Sequence, residues 1–145
     1  MERREFISTL GAAATVLAAS SAFAEEAATH ANHSHPPKYK ALAESASKCV
    51  LDGNNNLRHC YGMVSMNDTS MAECIKLTHD TIAACSALES LAAVNSPSTP
   101  AMAKVVEAIC LACKKECDKF PQYSECVAMG ASCKSCAEEC HKITA

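Results

Sequence analysis

The sequence contains no Trp, and only three Phe and three Tyr among its 145 residues, so it cannot build a core on bulky aromatic rings. Neither sign of charge is in excess. The formal net charge is -3, with Lys and Glu mixed along the chain, which gives no electrostatic reason for a nucleic-acid or anionic-membrane partner. There is no nucleophile–base pair and no phosphate-cradling loop, so nothing in the sequence points to an enzyme. What the sequence does have is small apolar side chains, with Ala the commonest residue, and eleven Cys. Small side chains suit closely packed helices. The cysteines are the feature that needs a chemical explanation.

The first 24 residues read as a targeting segment. Arg3-Arg4 stands just before an apolar stretch, Leu10 to Ala19, and Ala22-Phe23-Ala24 supplies small residues for a signal peptidase. The twin arginine points to Tat export and hence to a periplasmic or otherwise exported protein. The apolar stretch is about half of the roughly 20 residues needed to span a bilayer, which argues against an anchor, and no later segment is long and apolar enough to cross. Residues 25–37 carry His30, His33 and His35 without any periodicity and read as a flexible tail, either one whose imidazoles can pick up metal ions or simply a solvated linker.

From Lys38 the pattern becomes helical, and breaks at Asn67-Asp68-Thr69-Ser70, Asn95 to Pro100 and Phe120-Pro121-Gln122 cut it into four pieces. Helices are expected over 38–66, 70–94, 99–119 and 122–143. Ser70 and Glu73 stand at capping-box spacing for the second, while Thr99 as cap and Pro100 at the first helical position suit the third. Long helices with short loops favour an all-α, antiparallel up-down-up-down four-helix bundle over 38–145, with no room for a sheet.

Alternating three- and four-residue steps define the inward face of each helix. They pick out Leu42, Ala46, Cys49, Gly53, Asn56, Cys60 and Met63 on the first, and Met71, Cys74, Thr78, Thr81, Cys85 and Leu88 on the second. On the third they give Ala103, Val106, Cys110, Cys113, Cys117 and Phe120, and on the fourth Cys126, Met129, Cys133, Cys136, Cys140 and Ile143. All eleven cysteines fall on these seams, so the bundle axis is expected to be a cysteine-lined core.

Disulfide staples are one explanation, since Cys60 with Cys74 and Cys49 with Cys85 are symmetric about the first turn and exported Cys-dense chains usually form bridges. That reading makes the chain a metal-free structural or interaction module. Against it stand the odd count and the thiols stacked in consecutive turns of single helices. Zinc sites normally join short Cys pairs from knuckle-like loops, whereas these pairs lie inside helices. The C-x2-C-x2-C-x3-C run of iron–sulfur ligation is absent, and a di-iron bundle needs two Glu-x-x-His pairs where only Glu138 to His141 fits. Cu(I) is soft, prefers thiolates and accepts two or three of them, which Cys every turn offers repeatedly.

The residues resemble the bacterial copper storage proteins over about 38–143. The most specific stretches are Cys49-Val50-x-x-Gly53 leading to Leu57-x-His59-Cys60, the turn Asp68-Thr69-Ser70-Met71-Ala72-x-Cys74, Cys110-x-x-Cys113-x-x-x-Cys117, and Cys133-x-x-Cys136-Ala137-Glu138-x-Cys140. The resemblance implies multiple Cu(I) ions along the core on the eleven cysteines, a homo-oligomer (a tetramer), and release to copper-requiring client proteins. It also implies an open bundle end lined by His59, Met63, Met66 and Met71. Asn56 and Met129 depart from the pattern, standing at inward positions where relatives have Cys; the Met129 thioether is a weaker Cu(I) donor. His59 as a surface side chain, and Met63 and Met71 as core fillers, are the plainer alternatives. Storage for later use and detoxification by sequestration need the same ligands.

Overall fold

The computed structural model describes residues 35–145, so the stretch 1–24, read above as a targeting segment, and the tail residues His30 and His33 lie outside the described residues. His35 is exposed. Four helices follow in order: α1 (Lys40–Ser65), α2 (Ala72–Ala93), α3 (Thr99–Cys117) and α4 (Ser124–Thr144). Among the described residues there is no strand. Each helix packs on two neighbours, α1 on α2 and α4, α3 on α2 and α4, while the diagonal pairs stand apart across the core. Short connections and this cyclic packing make an up-down-up-down four-helix bundle.

The ends of α1 and α2 have one shared solution. Asn67 (φ 63°) and Asn95 (φ 54°) take the left-handed conformation just past each helix. The Asn67 and Asp68 N–H groups then donate to the carbonyls of Val64 (2.9 Å) and Met63 (3.0 Å), and those of Asn95 and Ser96 donate to Ala92 (3.2 Å) and Leu91 (2.9 Å). This is the Schellman arrangement, which satisfies carbonyls that a helix end otherwise leaves open.

The helix starts differ from the expected caps. Ser70 does not form a capping box with Glu73: α2 begins two residues later, at Ala72, and its cap position is Met71 with no side-chain bond. The Ser70 N–H is instead drawn to the Asp68 carboxylate at 2.9 Å, so the polar residues of that turn satisfy each other and not the helix. Thr99 is not a cap either; it is the first residue of α3, with Ser98 in the cap position and Pro100 following within the first turn.

The inward seams are buried as the three- and four-residue spacing requires. Leu42, Ala46, Leu88, Ala92, Ala103 and Val106 pack at the end where α1 and α3 start and α2 ends, forming an aliphatic plug. Further along the axis the core is sulfur. Met63, Phe120 and Ile143, at the tips of their seams, are only half-buried and pack against the core from its rims. Gly53 has a structural reason: a Cβ there would lie 2.6 Å from Ile82 Cγ1, so its absence lets α1 approach α2. Beside the seam, Asp52 is buried, takes a 2.6 Å bond from Lys48 Nζ and accepts the Ser132 hydroxyl of α4. That link ties α1 to α4 without entering the axis.

Candidate metal centre

Helix geometry brings every third or fourth residue back to one face, so a Cys repeated at that spacing on four inward faces must converge on the axis. All eleven cysteines are buried, and all are free thiols, including the Cys60, Cys74, Cys49 and Cys85 of the two symmetric candidate bridges. The densest point takes one thiol from each helix: Cys49, Cys85, Cys110 and Cys136 have their sulfurs within 4.8 Å of one another. Cys85 Sγ is 3.8 Å from Cys110 Sγ and 4.0 Å from Cys136 Sγ. Sulfurs this close share protons. Hydrogen bonding with Cys110, then Cys133, lowers Cys49 to about 5, and Cys110 first among its neighbours holds Cys136 low as well. Cys85 is pushed up by its bonds to Cys110, Cys136 and Cys49 together with burial. A thiol that donates a hydrogen bond to a neighbouring sulfur favours the charged form of that neighbour, and thiolate is the form that binds metal.

A second group lies toward the other end of the tube, formed by Cys60, Cys74, Cys117 and Cys126. Contact with Cys117, then Cys126 and Cys60, holds Cys74 low. Cys126 lowers Cys60, but Cys74 and burial outweigh it and raise that thiol to about 12. Asn56 sits among these sulfurs, fully buried. Its Nδ2 donates to Cys74 Sγ (3.3 Å) and Thr78 Oγ1 (3.0 Å), and its Oδ1 accepts from Cys126 Sγ (3.3 Å) and Cys60 Sγ (3.8 Å). Every polar function of this carboxamide is therefore engaged, which is what a buried amide requires. Cys113 lies between Cys117 and Cys133 and is lowered to about 3 by them in that order. Cys140 stands beside Cys136, which raises it, at the plug end. Met129 is fully buried in the same core cluster.

The residues expected at the bundle mouth divide. His59, Met63 and Met66 line a surface pocket of about 360 Å³ with Arg58, Gly62, Ser65 and Glu125. The His59 ring lies 4.5 Å from that of Tyr123, tilted by 49°, and its buried Nε2 has no hydrogen-bond partner, leaving a nitrogen lone pair or N–H unused. Met66, expected at the mouth, closes α1 as its C-cap and is 67% exposed. Met71 is fully buried in the core cluster and is not part of the pocket wall. The Schellman turn sends the chain sharply back after Ser65, which lifts Met66 outward and tucks Met71 under. Asn56 is the functional residue that spacing placed on the seam without showing its partners, since all of them but Cys60 come from α2 and α4.

A four-helix bundle whose axis is filled with free, closely spaced thiols is a binder of soft metal ions. The chain belongs to the copper storage protein family, whose profile matches residues 35–145. Among solved structures, the apo form of copper storage protein 3 from Bacillus subtilis shares the fold, with a TM-score of 0.65 and 24% identity, covering 73% of this chain and 98% of that one. The Cu(I)-bound copper storage protein BsCsp3 is similar with a TM-score of 0.65 and 25% identity, covering 73% and 97%. No curated protein matches the sequence.

Proposed function

We propose that this protein binds several Cu(I) ions on its core thiolates and stores them for release to copper-requiring proteins. The observation that carries the reading is the burial of all eleven free cysteines on one axis, four of them mutually within 4.8 Å. Cu(I) prefers thiolates in sets of two or three, and adjacent turns let one sulfur bridge two ions, so loading approaches roughly one ion per cysteine. The cargo is held inside an aliphatic-plugged bundle, and such a core admits no organic substrate; the role is storage and not catalysis. The twin-arginine segment supports export through Tat, so the store works outside the cytoplasm. His59, Met63 and Met66 fit a pocket where ions enter and leave, because a thioether holds Cu(I) without losing a proton and more weakly than a thiolate.

Anaerobic titration tests this. Denatured apo protein should react with close to eleven equivalents of thiol reagent, matching its cysteines, and native apo protein should take up Cu(I) far beyond one equivalent. A plateau at one or two ions, or sulfur found mostly oxidised, removes the storage reading.

A further inference from the structure

The thiols are not spread evenly along the core. On α1 no cysteine lies between Cys49 and Cys60, and on α2 none lies between Cys74 and Cys85. Each gap is roughly 16 Å of helix at 1.5 Å per residue. The inward positions in these gaps are Gly53, Asn56, Thr78 and Thr81. Gly53 offers no side chain, and the Thr81 hydroxyl is used on the Leu77 carbonyl of its own helix at 2.8 Å. Asn56 and Thr78 bond to each other at 3.0 Å. Their oxygens and amide nitrogen are hard, uncharged groups with little affinity for Cu(I) beside thiolates. One half of the core at this level therefore has no copper ligand.

The other half is α3 and α4. There α4 carries Met129 between Cys126 and Cys133, whereas α3 carries Cys113, whose sulfur lies 3.9 Å from Thr78 Oγ1 and so stands level with the polar block. Cys113 meets Cys117 toward the mouth and Cys133 toward the deep cage. Cys117 in turn meets Cys74, and Cys133 meets Cys110 and Cys49.

We propose that the copper store is two compartments, a mouth set on Cys60, Cys74, Cys117 and Cys126 and a deep set around Cys49, Cys85, Cys110 and Cys136, and that Cys113 is the relay through which Cu(I) passes between them. The inference rests on the storage reading and adds a route to it. Each transfer is a ligand exchange without redox change. A Cu–S bond forms to Cys113 as one to Cys117 breaks; Cys113 gives up its proton if it holds one, and the vacated thiolate can regain one. The same exchange then runs from Cys113 to Cys133. Asn56 and Thr78 keep the second half of the core from offering a parallel path.

The test follows copper removal from fully loaded, full-length protein by a strong chelator, using Cys113→Ser and Cys113→Ala, with helicity checked by circular dichroism. Native protein should empty in a fast and a slow phase. In both variants the slow phase, from the deep set, should fall in rate by about tenfold or more while the fast phase keeps its rate. Adding Thr78→Cys to Cys113→Ser places a thiol at the same level from the opposite side, since Thr78 Oγ1 lies 3.9 Å from Cys113 Sγ, and should restore the slow phase, a rescue that repair of packing does not predict. Unchanged slow-phase rates in folded Cys113 variants, or no rescue, overturn the relay. So does a slow phase that responds to Met129→Leu and not to Cys113→Ser, which would assign the passage to the thioether. Native protein that binds only one or two ions defeats the storage reading itself; high capacity with Cys113-independent release defeats the relay alone.

Discussion

Met63, Met66 and Met71 are three thioethers within nine residues, and their surroundings separate their roles. Met66 projects into solvent, Met63 packs half-buried against the core rim, and Met71 is closed off from water. Replacing Met63 and Met66 together by Leu keeps apolar volume nearly constant, so stability should change by less than about 1.5 kcal/mol. Copper uptake and chelator-driven release should both slow, measured by stopped-flow mixing on folded protein of unchanged capacity. If both rates stay as in the native protein, these methionines are packing and not ligands. The spacing put Met63 at the end of the seam, but nothing in it showed that the chain would reverse at Met66 and expose that side chain. Asn56 was legible as an inward amide needing partners; that those partners are the Thr78 hydroxyl and sulfurs of α1, α2 and α4 depends on how the helices meet, which spacing within one helix does not encode.

At the scale of the helices, the inward faces were readable because the three- and four-residue repeat is imposed by the helix itself and each Cys marks it clearly. Boundaries were readable to within about two residues, and the starts were the weak point. Ser70 and Thr99 are residue types that favour caps, yet the Asp68 carboxylate competes for the turn before α2, and Thr99 is carried inside α3 with its Oγ1 buried and unpartnered. The two glycines of α1, Gly53 in its middle and Gly62 in its last turn, make the helix packing testable. Gly62 has open space where a Cβ would go, so Gly62→Ala should stabilise the protein by about 0.5–1 kcal/mol through helix propensity alone. Gly53→Ala gains the same propensity but drives its Cβ into Ile82, and should destabilise by about 1–3 kcal/mol from overpacking. Denaturant unfolding of the two apo variants reads the difference. Equal effects of one sign would mean that α1 and α2 do not approach closely at Gly53.

For the whole molecule, the decisive contrast is between an end filled with aliphatic side chains and a tube filled with thiols. Leu42, Leu88 and Val106 with Ala46, Ala92 and Ala103 supply contacts that no metal is needed to complete, and neutral Cys packs as a small hydrophobe. The apo protein should therefore be folded, unlike small zinc domains whose folding free energy is the metal's. Its far-ultraviolet circular dichroism should match that of the loaded protein. Loading should still stabilise it, because copper held by several preformed thiolates favours the native state over a chain in which those sulfurs are scattered. One site saturated at a hundredfold excess over its Kd adds about 2.7 kcal/mol, so several sites should raise Tm by about 10 °C or more. Stripping the copper anaerobically should return Tm to the apo value without loss of helix. An apo protein that lacks helix until copper is added would show that the plug cannot hold the bundle and that the ions are structural before they are cargo. A Tm unmoved by saturating copper would place the bound ions outside the core.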